Sequence, residues 1–281
     1  MTKLFFKFWD LHTEVILKDD EFRQSLFELW KPFWCNSIEE KSISYRYRLE
    51  KLDEHKYQLN SNNSPPSQSI EKEQVLPLLN SQLCFNLLQS SKSHFYFHSS
   101  AFLTEDKTIV LLIGDRGNGK TSLLLRMLQN GNRFICNDIF PLVPKTNLGE
   151  PFPIGFFAEK SILRHFPALS NKQLEFKTPK ANQKAALFLP ERDYPLAKQK
   201  FYSVSTICFL NQKACGSSEL HEISKSETIG ELFTHWRNKH LFRINPLESI
   251  SNLAENANSF RLKNVNFEQS LQLIEGICNP A

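Results

Sequence analysis

Between residues 43 and 50, Ile43, Tyr45, Tyr47 and Leu49 alternate with Ser44, Arg46, Arg48 and Glu50. A period of two gives one apolar and one polar face, the pattern of a half-exposed strand. A second strand-like run covers His12–Leu17 and a helical one Glu21–Trp30, so residues 1–60 read as a small α+β region. Periodicity then stops. Residues 61–69 are polar, carry Pro65 and Pro66, and read as a linker. Beyond it the spacing predicts a helix over Ile70–Leu88, and Phe95-Tyr-Phe-His98 opens a strand that turns at Glu105-Asp106-Lys107 into the β-branched and aliphatic run Thr108–Ile113. Ser122–Leu128 is helical and closed by Gly131, and Arg133–Cys136 is a second buried strand ending in Asn137-Asp138. Pro141 and Pro144 limit any continuation. The tail adds a weak helical run Ala158–Phe166, a clear strand Phe201–Leu210, and helices over Ile229–Phe242 and Phe267–Ile277. Buried strands alternating with helices give an α/β fold class for residues 70–281, with no internal repeat.

Length and charge narrow the function classes. A chain of 281 residues can bury a full α/β core and carry a smaller appendage. Net charge is only +4, with Lys and Arg scattered rather than blocked, so no nucleic-acid partner is expected. The apolar patch Leu4–Trp9 is too short for a signal-peptide core and no segment approaches membrane-spanning length, so a cytoplasmic protein without a membrane partner is expected. The six cysteines are far apart with no C-x-x-C pair, which argues against a disulfide framework and against metal-ligand spacing. Cys84, Cys136 and Cys208 lie in apolar runs and are expected to be small core residues. Nothing bears on oligomeric state.

The segment with chemistry is Gly114-Asp115-Arg116-Gly117-Asn118-Gly119-Lys120-Thr121, which fits G-x-x-x-x-G-K-[ST] between a strand and a helix. Its glycines let backbone N–H groups turn inward around phosphate oxygens, and the helix N-terminus, with Ser122, adds partial positive charge. Lys120 is expected at the β- and γ-phosphates of ATP and the Thr121 hydroxyl at Mg²⁺. Phosphoryl transfer also needs an acid or base and a further metal anchor. Asp138, at the C-terminal end of a neighbouring strand, is the leading candidate for either task; the plainer alternative is a carboxylate that caps a turn. His98 shares a strand face with Tyr96 and Ser100 and is a second catalytic candidate, though a single His without partners is more often structural. Arg133 is by default a solvated charge, and could otherwise supply transition-state charge.

Taken together, His98, the loop Gly-Asp-x-Gly-x-Gly-Lys-Thr, then Gly131-x-Arg133 with an apolar triplet and Asp138, resemble the HPr serine kinase/phosphorylase family and its wider group of HPr-kinase-like proteins. The resemblance covers about residues 93–145. It implies a P-loop kinase core of HPr-kinase/phosphoenolpyruvate-carboxykinase type, Mg-ATP as donor and a serine hydroxyl as acceptor. It further implies that His98, Lys120 and Asp138 serve catalysis and that Thr121 and Asp138, with Asn137, hold the metal. Two departures stand out. Asn137 replaces the first of the family's paired aspartates, and the downstream Arg-Gly and Gly-Ile-Asn-Val signature is absent, with Glu159 or Glu150 as weak substitutes for its metal-binding Glu. The resemblance therefore points away from HPr itself and toward looser relatives acting on serine in precursor peptides or on free serine. The leading expectation is an ATP-dependent kinase acting on a hydroxyl of a peptide, protein or small molecule. The alternative is a regulatory ATP-binding module that lost its chemistry through Asn137. A GTPase switch ranks last, because Asn171-Lys172 and Asn238-Lys239 both lack the Asp of a guanine reader.

Overall fold

Strand Leu11–Leu17 is buried along nearly its whole length and forms the middle of a sheet. It pairs antiparallel with Thr2–Phe8 on one side and parallel with Tyr45–Lys51 on the other. In the computed structural model, which describes residues 1–62, 69–163, 165, 166, 169, 175–178, 183–189, 191–212, 215–242 and 246–278, the chain is an α/β protein of mixed sheets and helices. It forms two compact units, Met1–Ser91 with Ile154–Leu189, and Lys92–Pro153 with Pro190–Ala281. Among the described residues no helix is long and apolar enough to cross a membrane.

In the first unit, Tyr45, Tyr47 and Leu49 point inward as their alternation requires. The expected linker falls mostly on residues 63–68, outside the described residues. The expected helix from Ile70 starts later: Ile70–Glu71 pair as a strand with Lys56–Tyr57, and the helix spans Val75–Ser90. Pro77 sits in its first turn, where a missing N–H costs nothing. This helix belongs with the N-terminal strands, so the packing boundary lies at Ser91 rather than near residue 70. Residues 154–189 return to this unit through Asn80, whose side chain accepts from the Trp30 indole at 2.9 Å and donates to the Gly155 carbonyl at 3.2 Å. The expected helix over Ala158–Phe166 is instead strand Phe156–Glu159 followed by one turn, Lys160–Leu163. Phe156 and Ala158 are buried and Phe157 and Glu159 half-buried, a period of two that overrides the weak helical pattern. Cys84 is only half-buried on its helix, whereas Cys136 and Cys208 are core residues as expected.

The second unit is built on Ile109–Ile113, buried at every position. Ser99–Leu103 pairs with it antiparallel and Tyr202–Gln212 parallel; Asn258–Asn264 continues the sheet parallel to Tyr202–Gln212. Arg133–Cys136 lies antiparallel to Ser99–Leu103 and so runs in the same direction as Ile109–Ile113. Four strands thus end at one edge, where ligands bind in open α/β sheets. The pairing path continues from Tyr202–Gln212 through Leu148–Gly149 and Phe140–Leu142 to Phe95–Phe97. The strand expected to run through His98 therefore breaks there, because the residues before and after it pair with different neighbours. The helix expected over Ile229–Phe242 spans Lys225–His235, opened by a capping box between Ser224 and Glu227 and ended where Trp236 joins a bridge to Phe97.

In the first unit, Glu14 is fully buried at the sheet centre, so its charge must be compensated. Lys3 forms an ion pair with one carboxylate oxygen at 2.8 Å, and the Arg46 guanidinium donates to the other. Burial alone would raise the Glu14 pKa; the two cations outweigh it and leave it below the ordinary 4.5. The unfolded chain then binds the extra proton in acid, so this stabilisation is full above pH 4.5 and is lost as pH falls through the folded value. Glu14→Gln is expected to cost about 3 kcal/mol at neutral pH and to flatten part of the acid-side fall in stability. Denaturant titrations of both proteins between pH 3 and 7 measure it; parallel curves would show that the carboxylate contributes nothing.

Candidate functional site

The loop after Ile113 follows from backbone contacts. A Cβ on Gly114 would come within 2.8 Å of the Leu210 carbonyl, and the Asn118 amide donates to that same carbonyl at 2.8 Å. Gly117 and Gly119 have φ of +90° and +89°, a left-handed conformation that glycine adopts without penalty. A Cβ on Gly119 would also meet Asn264 Nδ2 at 2.6 Å. Asn264 instead donates to the Asn118 carbonyl at 3.1 Å and is itself held by the Ser270 hydroxyl at 2.8 Å. The loop is thereby fastened to the ends of two strands before helix Lys120–Gln129 begins.

Lys120 is 5% exposed and donates to the Gly114 and Asp115 carbonyls at 2.7 and 3.0 Å. Burial depresses its pKa, Asp138 and Asp115 pull it back up, and Arg237 lowers it further. Asp115, Arg116 and Gly117 are exposed at the loop tip, and Thr121 and Ser122 are half-buried. The Thr121 hydroxyl donates to Asn137 Oδ1 at 3.2 Å, and Ser100 donates to the same oxygen at 2.8 Å. Asn137 is buried, its carbonyl oxygen accepting from both hydroxyls.

Asp138 takes φ +70°, unusual for any residue but glycine and best tolerated by Asn and Asp, with its carboxylate exposed. Its backbone carbonyl lies 3.1 Å from His98 Nδ1. A carbonyl only accepts, so Nδ1 carries the proton and Nε2 is the acceptor in the neutral ring. Burial lowers the His98 pKa, Lys120 adds to the effect, and Asp138 opposes it. Lys120, Thr121, Asn137, Asp138 and His98 therefore meet at one sheet edge, as five of the residues singled out from the sequence. Arg133 does not join them; it is exposed at the opposite end of its strand, with its guanidinium toward the Leu196 carbonyl. Glu150 pairs instead with buried His94, at 3.0 Å. Asn238, weighed above as part of a guanine reader, is a buried clamp between Tyr96, Trp236 and His94. Among the described residues no three His, Cys, Asp or Glu side chains converge as a metal site.

Three participants carried no sequence signal of their own. Ser100 could be found only by its shared face with His98. His235 and Arg237 arrive from a distant segment: the His235 carbonyl accepts from His98 N at 3.2 Å, and Arg237 acts electrostatically on Lys120 and His98. Beside them lies a cavity of about 170 Å³ bordered by Gly114, Asp115, Asn118, Glu231, His235 and Arg261.

No protein-family model matches the chain, and no curated protein does. Among solved structures it is similar to the Hpr(Ser) kinase/phosphatase from Coxiella burnetii, at 13% identity and a TM-score of 0.35 over 65% of this chain and 87% of that one. That match is weak and partial, and is one of fold only.

Proposed function

We propose that the chain is an ATP-dependent kinase with an HPr-kinase-like P-loop core that transfers the γ-phosphoryl group to a hydroxyl, of serine type, on a peptide, protein or small-molecule acceptor. The observation that carries this reading is the meeting of the glycine loop with Asp138 and a neutral His98 at the edge where four strands end. The cradle fits a triphosphate: Gly117 and Gly119 give their backbone a turn that L side chains resist, and Lys120 is held by neutral carbonyls, in whose place phosphate oxygens would set a full opposite charge against the ammonium. Thr121, Asp138 and the Asn137 carbonyl oxygen are the groups to hold Mg²⁺, which when bound neutralises phosphate oxygens. In the transfer step the acceptor oxygen bonds to the γ-phosphorus, the bridging bond to the β-phosphate breaks, and the hydroxyl proton goes to Asp138. His98 holds the Asp138 backbone and offers Nε2 as a second acceptor.

A specific observation favours a second reading. Asn137 is neutral where a metal anchor profits from charge, and its carbonyl oxygen is engaged by Ser100 and Thr121, which suits a module that binds ATP without transferring phosphate.

Lys120→Ala is expected to remove most Mg-ATP binding with the fold retained; a folded variant that binds as wild type does would end the phosphate-cradle reading. Asp138→Asn should leave ATP affinity within tenfold and slow transfer by roughly 10²–10⁴, the usual worth of a positioned acid or base. Unchanged ADP production in that variant would reduce Asp138 to a turn residue. Asn137→Asp separates the two readings by magnesium titration. A lower Mg²⁺ requirement supports a kinase with a weakened metal site, whereas lost ATP binding, from repulsion between carboxylate and phosphate, supports the regulatory module.

A further inference from the structure

Arg237 is held by a strap with no sequence motif. Trp236 and Asn238 on either side of it are buried. The Trp236 indole donates to Asn238 Oδ1 at 2.8 Å, the same oxygen accepts from Tyr96 N at 3.0 Å, and Asn238 Nδ2 donates to the His94 carbonyl at 2.9 Å. Arg237 N donates to the Tyr96 carbonyl at 2.8 Å, which fixes its backbone against the strand that leads into His98. With both neighbours turned into the core, the Arg237 side chain faces outward and is exposed.

The guanidinium has no hydrogen-bond or ion-pair partner among the described residues, unlike Arg261, which is paired with Glu227 and Glu231. The antiparallel bridge between Phe97 and Trp236, with His98 N donating to the His235 carbonyl at 3.2 Å, places the flanking residues His98, His235 and Arg237 together on the opposite face of that pairing. A cation clamped on that face without a partner of its own would be neutralised by an anion held there.

We infer that Arg237 is the cation that meets the terminal phosphoryl group of the bound triphosphate during transfer, the role for which Arg133 lies at the wrong end of its strand. The inference rests on the kinase reading above. Arg237 donates N–H groups to the phosphoryl oxygens as charge shifts during bond exchange, and it loses no proton, because a guanidinium stays charged.

The test is equilibrium binding of Mg-ADP, alone and with aluminium fluoride as a mimic of the transferring group, to the full chain, to Arg237→Ala and to Arg237→Lys. Arg237→Ala is expected to keep ADP affinity within about threefold and to lose on the order of 100-fold in affinity for the mimic. Arg237→Lys, with charge but no planar fork, should recover part of that loss. The clamp is made by main chain and by Asn238, so both variants keep it. Equal affinity of wild type and Arg237→Ala for the mimic overturns the inference and leaves the kinase reading standing. A wild-type chain that binds no nucleotide overturns both.

Discussion

The backbone of the glycine loop approaches the ends of two strands more closely than any side chain would allow, and the candidate site depends on that approach. Leu210 offers one carbonyl to the Asn118 amide from a position where a Gly114 Cβ would be 2.8 Å away. Asn264 reaches the Asn118 carbonyl from the next strand through the space a Gly119 side chain would fill. Both attachments lie toward Tyr202–Gln212 and Asn258–Asn264. The loop is thus pinned on that side, and its other side is left to face Asn137 and Asp138. Lys120 and Thr121 owe their directions to the helix that starts where this pinning ends.

Charge inside the site is balanced rather than accumulated. A buried ammonium is costly unless hydrogen-bonded, and Lys120 is kept by two loop carbonyls with Asp115 and Asp138 in electrostatic reach. Asn137 fits the same economy. At 6% exposure a carboxylate there would need a counter-charge of its own, whereas an amide needs only hydrogen bonds, and Ser100 and Thr121 supply them. Metal-anchoring charge is exchanged for a buried position that is satisfied by neutral groups.

The glycine loop with its strand and helix was legible because it is local: the apolar run, the glycines and Gly131 are all read from neighbours in sequence, and Gly131 takes the left-handed conformation that its place after the helix requires. Strands Leu11–Leu17, Tyr45–Lys51 and Tyr202–Gln212 were legible for the same reason. Where long-range pairing decides, the pattern misled. Trp236 ends its helix by bridging to Phe97, a partner far away in the chain, and Asn258–Asn264 is a strand through pairing with Tyr202–Gln212 despite polar residues at five of its seven positions. Helix Leu247–Asn256 is absent from the expected elements although Leu247, Ile250, Leu253 and Ala254 stand at helical spacing, and it buries the last three of them. The His235 carbonyl reaches His98 only because the chain after helix Lys225–His235 turns back onto Phe95–Phe97.

The convergence of His98 and Asp138 itself has a topological cause. The pairing path begins at Arg133–Cys136 and Ser99–Leu103 and ends at Phe140–Leu142 and Phe95–Phe97. His98 is the single residue joining Phe95–Phe97 to Ser99–Leu103, and Asn137 to Ile139 join Arg133–Cys136 to Phe140–Leu142. Both links therefore span the first and last parts of one path, so the sheet curls back on itself and the two crossings lie side by side. Residues at a crossing have no ladder partner. The Asp138 carbonyl is free to accept from the His98 ring, and the turn there demands the positive φ that an aspartate tolerates. The bulge at Ile135 is closed in the same manner, by Phe152 N donating to its carbonyl at 2.9 Å. What sets the imidazole beside the Asp138 backbone is thus the closure of the sheet, and their proximity does not depend on any attraction between the two side chains.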